Sequence, residues 1–189
     1  FKAIKAGCTE KAGAEHFHDI YHAPTWERTG GVNNSGYIWA DDARWSLDEP
    51  ETPRSILALM VWRQWYMRGP VDLRNATLSV YLRGDDLDLK GGRCLFWAQS
   101  RKLSTRWHLS SQPLPIARGN WADAPIQVQL ANDETQWHRS WTVPGNSPAS
   151  LANVLAETEV YGFSFVGFSE KVTGKFAMDE FELNPAKDI

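Results

Sequence analysis

The sequence is poor in cysteine, in methionine and in basic excess, and the shortages narrow what it can be. Two cysteines, Cys8 and Cys94, among 189 residues are too few for a disulfide scaffold and too far apart for a zinc ribbon. Two unpaired structural thiols account for them most simply; a single bridge is the alternative. Twenty Lys and Arg against 23 Asp and Glu leave a net charge of -3, without the basic surplus that a phosphate backbone demands. Nucleic acid is therefore not an expected partner. No run approaches the ~18 consecutive apolar residues of a membrane span, and Phe1-Lys2-Ala3-Ile4-Lys5 has no long apolar segment behind its positive charges. The chain reads as soluble, and its start at Phe1 fits an excised or processed fragment.

What the sequence does hold is rings: ten Trp, eight Phe and five Tyr against three Met. Large rings bury much area per side chain, and those near a surface offer flat faces for stacking. Residues 1–24 form a lead-in, Ala- and Lys-rich and the one stretch with some helical character, interrupted by Gly7 and Gly13. From Thr25 to the end, residues 25–189, short apolar or alternating runs are separated by Gly, Pro, Asn and Asp clusters, the pattern of an all-β domain.

Strands are expected at 36–40, 55–67, 76–83, 93–99, 105–110, 126–131, 137–143, 160–169 and 175–183, with one short helix at 150–157. That number of strands suits a two-sheet antiparallel β-sandwich. In the run from Ala76 to Arg83, Leu78, Val80 and Leu82 alternate with Tyr81 and Arg83, which puts the latter two outward. The acidic Gly84 to Gly92 segment reads as a tight turn that makes the flanking strands neighbours.

Asp72-Leu73-Arg74-Asn75-Ala76 running into a strand, the later Tyr161-Gly162-Phe163-Ser164-Phe165-Val166-Gly167-Phe168, and the closing Asp179-Glu180-Phe181-Glu182-Leu183 together resemble jelly-roll carbohydrate-binding modules, of the galactose-binding-like and concanavalin-like kinds. The resemblance implies a jelly roll. It also implies a structural calcium held by Asp179 or Glu180, with further oxygens from Asp41, Asp42, Asp48 or Glu49, since calcium takes six to eight oxygen ligands.

Sugars present apolar C–H faces ringed by hydroxyls, so a site for them needs flat rings and fixed forks or amides. Tyr81 with Arg83, Trp97 with Gln99, and Arg106 with His108 have that chemistry. The competing account has each ring filling the core under loops. Trp62-Arg63-Gln64-Trp65-Tyr66 puts rings on both faces of a strand, which leaves open whether one face meets a ligand. His16, His18 and His22 fall on no common face of a regular element, so a solvated lead-in explains them better than a metal site. Glu180 and Glu182 share a strand face, but solvent-facing alternation gives the same pattern as a hydrolase's acid pair. No Gly-x-Ser-x-Gly is present, and nothing around Cys94 suggests an activated thiol.

The expected function is therefore non-catalytic binding of an oligo- or polysaccharide, which would favour a secreted or periplasmic protein. A polysaccharide lyase or glycoside hydrolase on the same fold is the first alternative, with His108, Tyr81, Arg83 or Arg106 acting on an acidic sugar. A protein-interaction module is the second.

Overall fold

The computed structural model describes residues 4–5, 10–12, 16–18, 23–45, 55–63 and 69–186. Cys8, His22, Asp48, Glu49 and the Gln64-Trp65-Tyr66 stretch lie outside the described residues. The strands are β1 (Ile4–Lys5), β2 (Glu10–Ala12), β3 (His16–His18), β4 (Thr25–Glu27), β5 (Tyr37–Asp41), β6 (Ser55–Trp62), β7 (Ala76–Asp88), β8 (Arg93–Ser100), β9 (Thr105–Leu109), β10 (Ala117–Arg118), β11 (Ile126–Leu130), β12 (Trp137–Thr142), β13 (Val160–Val166) and β14 (Thr173–Asn184). One α-helix, α1 (Leu151–Ala156), precedes β13. Ser150 caps it by accepting from the Asn153 N–H, and Leu151, Val154 and Leu155 fall on one buried stripe.

The strands form two larger sheets, one in the order β1-β6-β13-β8-β9-β12 and one in the order β10-β7-β14-β5-β4, with β11 paired to the remaining part of the β7 edge. Pairing is antiparallel except for the short β10 beside β7. Phenylalanines join the two sheets across the core. Phe165 of β13 meets Phe176 of β14 edge-to-face at 5.1 Å, and Phe163 meets Phe176 at 6.2 Å and Phe181 at 6.1 Å. Such pairs add about 0.5–1.5 kcal/mol each beyond the area they bury. This is the two-sheet antiparallel β-sandwich that the strand pattern predicted, with the jelly-roll fold that the resemblance implied.

β6 and β13 are buried along their whole lengths, so both of their faces are covered. A Cβ at Gly162 would run into the Leu59 carbonyl and the Met60 Cα. Only glycine permits β13 to approach β6 this closely.

Three expectations are corrected. The described parts of the lead-in are strands, not helix: β2 pairs with β3, and β1 adds to the edge of β6, because pairing to a sheet outweighs weak local propensity. The segment Gly84 to Asp88 continues β7, held by β14 through Lys175 opposite Asp85 and Thr173 opposite Asp88; a tertiary partner overrides the turn-like composition. In consequence β7 and β8 are not neighbours. β7 runs to the end of the sandwich before the chain turns at Lys90 and Gly91, both at positive φ, and β8 enters the other sheet. Cys94 of β8 is a free, buried thiol whose pKa burial pushes up, far from the activated state a nucleophile needs.

Candidate functional site

The side of each sheet that faces away from the core carries the polar and aromatic side chains, and the two sides differ. On the sheet of β7, β14 and β5 the inward row of β7 is Leu78, Val80 and Leu82, which leaves Tyr81, Arg83 and Asp85 outward. Register places Ala177 between Arg83 and Trp39, Lys175 between Asp85 and Asp41, and Asp179 beside Tyr81. The outward surface is thus built from three central strands, with Glu27 of β4 opposite Tyr37 at the edge.

The Arg83 guanidinium lies 4.7 Å from the Tyr37 ring centroid and 4.5 Å from that of Trp121. The two rings meet edge-to-face at 5.5 Å. Arg83 also pairs with Asp85, Nη2 to Oδ2 at 3.0 Å. Beside this group, Lys175 Nζ sits 4.5 Å and the Arg44 guanidinium 5.0 Å from the Trp39 ring centroid, and Trp39 Nε1 donates to Glu27 Oε1 at 3.1 Å. Cation–π contacts of this kind contribute about 0.5–2 kcal/mol, more as they lose water. Tyr37, Trp39 and Trp121 are half-buried, each with a cation over its ring and part of its surface left to solvent.

Asp179 positions the loop that completes this surface. Its Oδ2 accepts from the Val32 N–H at 2.7 Å and from the Ser35 hydroxyl at 2.8 Å, and its Oδ1 from the Glu180 N–H at 2.8 Å. The loop so held presents the Gly30 carbonyl, which accepts from Trp121 Nε1 at 2.8 Å and from Arg83 Nη1 at 3.4 Å. A Cβ at Gly31 would collide with both the Asp179 carboxylate and Ser35, so the loop can close on Asp179 only with glycine there.

The sheet of β13, β8 and β9 holds the other predicted residues. Trp97 lies opposite His108, and Gln99 opposite Arg106. Arg106 Nε donates to Gln99 Oε1 at 2.9 Å, and its guanidinium lies 4.9 Å from the Trp97 ring and 5.5 Å from that of Trp141. The four do come together, as neighbouring strands predicted. They are not an open platform, however: Trp97 is 0% exposed, His108 2% and Arg106 6%. Trp97 instead belongs to a small apolar cluster with Leu57, Met60, Trp62 and Val160. Beyond His108 toward Arg93 lies a pocket of about 230 Å³.

The six predicted ligand-binding residues are therefore divided between opposite sides of the sandwich, Tyr81 and Arg83 on one and Trp97, Gln99, Arg106 and His108 on the other. Sequence reasoning missed Tyr37, Trp39, Trp121 and Lys175. The alternation of Tyr37, Trp39 and Asp41 with Ile38 and Ala40 carries the signal for the first two; Trp121, from a loop, carries none.

The carboxylates proposed for calcium are engaged separately. Asp41 Oδ1 faces Arg44 Nε at 3.9 Å. Asp42 pairs with Lys171 Nζ at 3.2 Å, and that hydrogen bond, helped by the Gly174 N–H, holds its pKa below the usual carboxylate value. Asp179 is occupied by the loop, and Glu180 sits exposed in the register shift between Asp179 and Glu182 at φ 44°. Among the described residues no three His, Cys, Asp or Glu side chains converge as a metal site. A groove of about 1030 Å³ at the β7–β8 end of the sandwich is lined by Asp86, Asp88, Lys90, Arg93 and Arg118 with Cys94, Pro113, glycines and aliphatics. Among the described residues it contains no ring on which a sugar could stack.

No family model matches the chain, and no curated protein matches it in sequence. Solved structures match its fold. The family 11 carbohydrate-binding module of the cellulosomal cellulase Lic26A-Cel5E of Clostridium thermocellum superposes with a TM-score of 0.52 at 9% identity, over 88% of this chain and 84% of that one. An exo-beta-agarase superposes with a TM-score of 0.50 at 10% identity; 88% of this chain is covered but only 23% of the agarase chain. At these identities the likeness is one of fold. The chain shares the jelly roll of carbohydrate-binding modules, and no helix among its described residues is long and apolar enough to cross a membrane.

Proposed function

We propose that the protein binds a glycan on the outward side of the sheet of β7, β14 and β5. The observation that carries this reading is the set of half-exposed rings, Tyr37, Trp39 and Trp121, each held by a cation over its ring, Arg83 for Tyr37 and Trp121 and Lys175 with Arg44 for Trp39. Pyranose C–H faces stack on such rings, and the guanidinium, ammonium and carboxylate groups around them meet the hydroxyls. Because the cations and the Asp179-held loop fix the rings beforehand, little side-chain entropy remains to be lost on binding. Tyr81 and Arg83, each 9% exposed, lie beneath this surface and are not open on it; Arg83 acts there by holding Tyr37 and Trp121. The shared fold with a carbohydrate-binding module adds support by analogy only, since one fold hosts many functions.

The test is retention of neutral and acidic polysaccharides on the immobilised protein, with reducing-end and unsaturated-product assays on every glycan retained. Retention that Trp39→Ala and Trp121→Ala abolish, without product, is the expected result. Product release would make the chain an enzyme, and retention unchanged in both variants would overturn the assignment of the site.

A further inference from the structure

The groove of about 1030 Å³ at the β7–β8 end of the sandwich is lined by none of the rings of the glycan surface. Its floor is aliphatic: Leu114 is buried, and Leu87, Leu89 and Ile116 are half-buried and pack against the core. Exposed charges of both signs stand around that floor, Asp86 from β7, Arg93 from β8 and Arg118 from β10. We propose that this groove binds a short aliphatic peptide with free termini, its ammonium against Asp86 and its carboxylate against Arg93 and Arg118.

The topology sets the dimensions. β7 and β8 belong to opposite sheets, and sheets packed face to face lie about 10 Å apart, so Asp86 and Arg93 come from opposite walls. Arg118 is opposite Gly84 in the parallel pairing of β10 with β7, and Asp86 is two residues further on. One inter-strand spacing and two strand rises put the backbones of Arg118 and Asp86 roughly 8 Å apart. An extended peptide of three residues reaches about 10 Å, which matches both separations. Beyond Gly84 the only strand beside β7 among the described residues is β14. The groove side of this stretch is therefore an uncovered strand edge, and such an edge offers main-chain donors and acceptors to a peptide.

The charges complement the two unlike ends of that ligand. Five charged side chains line the groove, but Asp88 and Lys90 neutralise each other, with Nζ to Oδ2 at 2.7 Å and the Lys90 N–H donating to Oδ1 at 2.9 Å. Lys90 chiefly, with Arg118 the weakest cause, holds the Asp88 pKa below the usual carboxylate value. The side chains of Asp86, Arg93 and Arg118 make no hydrogen bond or ion pair among the described residues. One carboxylate and two guanidiniums are thus left for a ligand, and the planar guanidinium fork suits a carboxylate. A fatty acid would leave Asp86 unanswered, and a sugar would find no ring to stack on. The volume is that of an ordinary ligand site, about 300–1,000 Å³. The inference does not rest on the glycan reading above, because the groove and the open rings share no residue.

The experiment is calorimetric titration of the whole chain with trileucine, N-acetyl-trileucine, trileucine amide, triglycine and decanoate, with backbone NMR shifts at Leu87, Leu89 and Gly119 placing the site. Saturable binding of trileucine with shifts at those residues is expected. Each blocked peptide should bind about tenfold more weakly, because it loses one charge-assisted contact, and triglycine should not bind. Asp86→Asn should weaken trileucine as much as acetylation does and leave the acetylated peptide unaffected. Arg93→Gln combined with Arg118→Gln should stand in the same relation to the amide. All three positions are exposed, and thermal melts check that the variants fold. No saturation with trileucine, triglycine or decanoate binding as tightly, or variants that weaken free and blocked peptides alike would overturn the proposal. Trp39→Ala should leave trileucine binding intact, so failure here is distinguishable from failure of the glycan reading.

Discussion

The two outward sides of the sandwich use the same residue types to opposite ends. On the sheet of β7, β14 and β5 the cations beside Tyr37, Trp39 and Trp121 each have a carboxylate nearby: Arg83 with Asp85, Arg44 with Asp41, and Lys175 opposite Asp41 and Asp85 in register. Charge is balanced there and the rings stay half-open. On the sheet of β13, β8 and β9 the strands supply cations and no acid, and Arg106 and Trp97 are buried together. A ring beside an arginine is therefore not by itself a binding platform. What separates the two cases is whether the ring's second face meets solvent or apolar neighbours such as Leu57 and Val160.

The largest effect that would sharpen this contrast is on the buried side. Trp97→Ala should cost about 3–5 kcal/mol of stability, read by urea unfolding; lost glycan retention with an unchanged melt would instead make Trp97 a platform and erase the distinction. Next, Asp179→Ala strips the Val32 and Ser35 donors of their acceptor and should cost about 1–3 kcal/mol. Thermal melts of the native chain in calcium and in chelator belong with it. Because both Asp179 oxygens are occupied from within the chain, the two curves should coincide, whereas a calcium-dependent rise would restore the cation site expected at Asp179 and Glu180.

On the open side the order of effects reverses. Trp39→Ala should change stability by no more than about 1 kcal/mol while lowering glycan affinity about tenfold or more, a difference of about 1.4 kcal/mol in binding. The smallest effect is a titration. Asp42 has its folded-state pKa depressed, chiefly by the Lys171 hydrogen bond, so the pair contributes stability above the unfolded carboxylate value near 3.9 and loses it as pH falls through the folded value. Lys171→Met should therefore cost a few tenths of a kcal/mol at neutral pH, and its difference from the native chain should vanish in strong acid. A gap that persisted there would mean that Lys171 acts through packing and not through charge.

Period-two alternation made much of the architecture legible. Leu78, Val80 and Leu82 marked the core side of β7 and thereby the outward positions of Tyr81 and Arg83. The ring-rich 160–168 run marked β13, and Ser150 marked the start of α1. The adjacency of the strand of Trp97 and Gln99 to that of Arg106 and His108 was legible too, but not the hydrogen bond between Arg106 and Gln99. What sequence could not reach was the assignment of strands to sheets. Gly84 to Asp88 looks like a turn in isolation and is a strand because β14 lies beside it. Nor could it reach the companions of Arg83, since Tyr37 and Trp121 are 46 and 38 residues away along the chain by their numbering and meet only through the loop that Asp179 holds.

By itself the sequence determined the class of fold, the alternating core and the supply of rings and arginines, because those depend on the side-chain period of a strand and on composition. The tertiary structure decided which rings remain open. It did so by sorting the strands into a sheet with balanced charge and a sheet without acids, and burial, unlike periodicity, depends on what lies across the second face of each side chain.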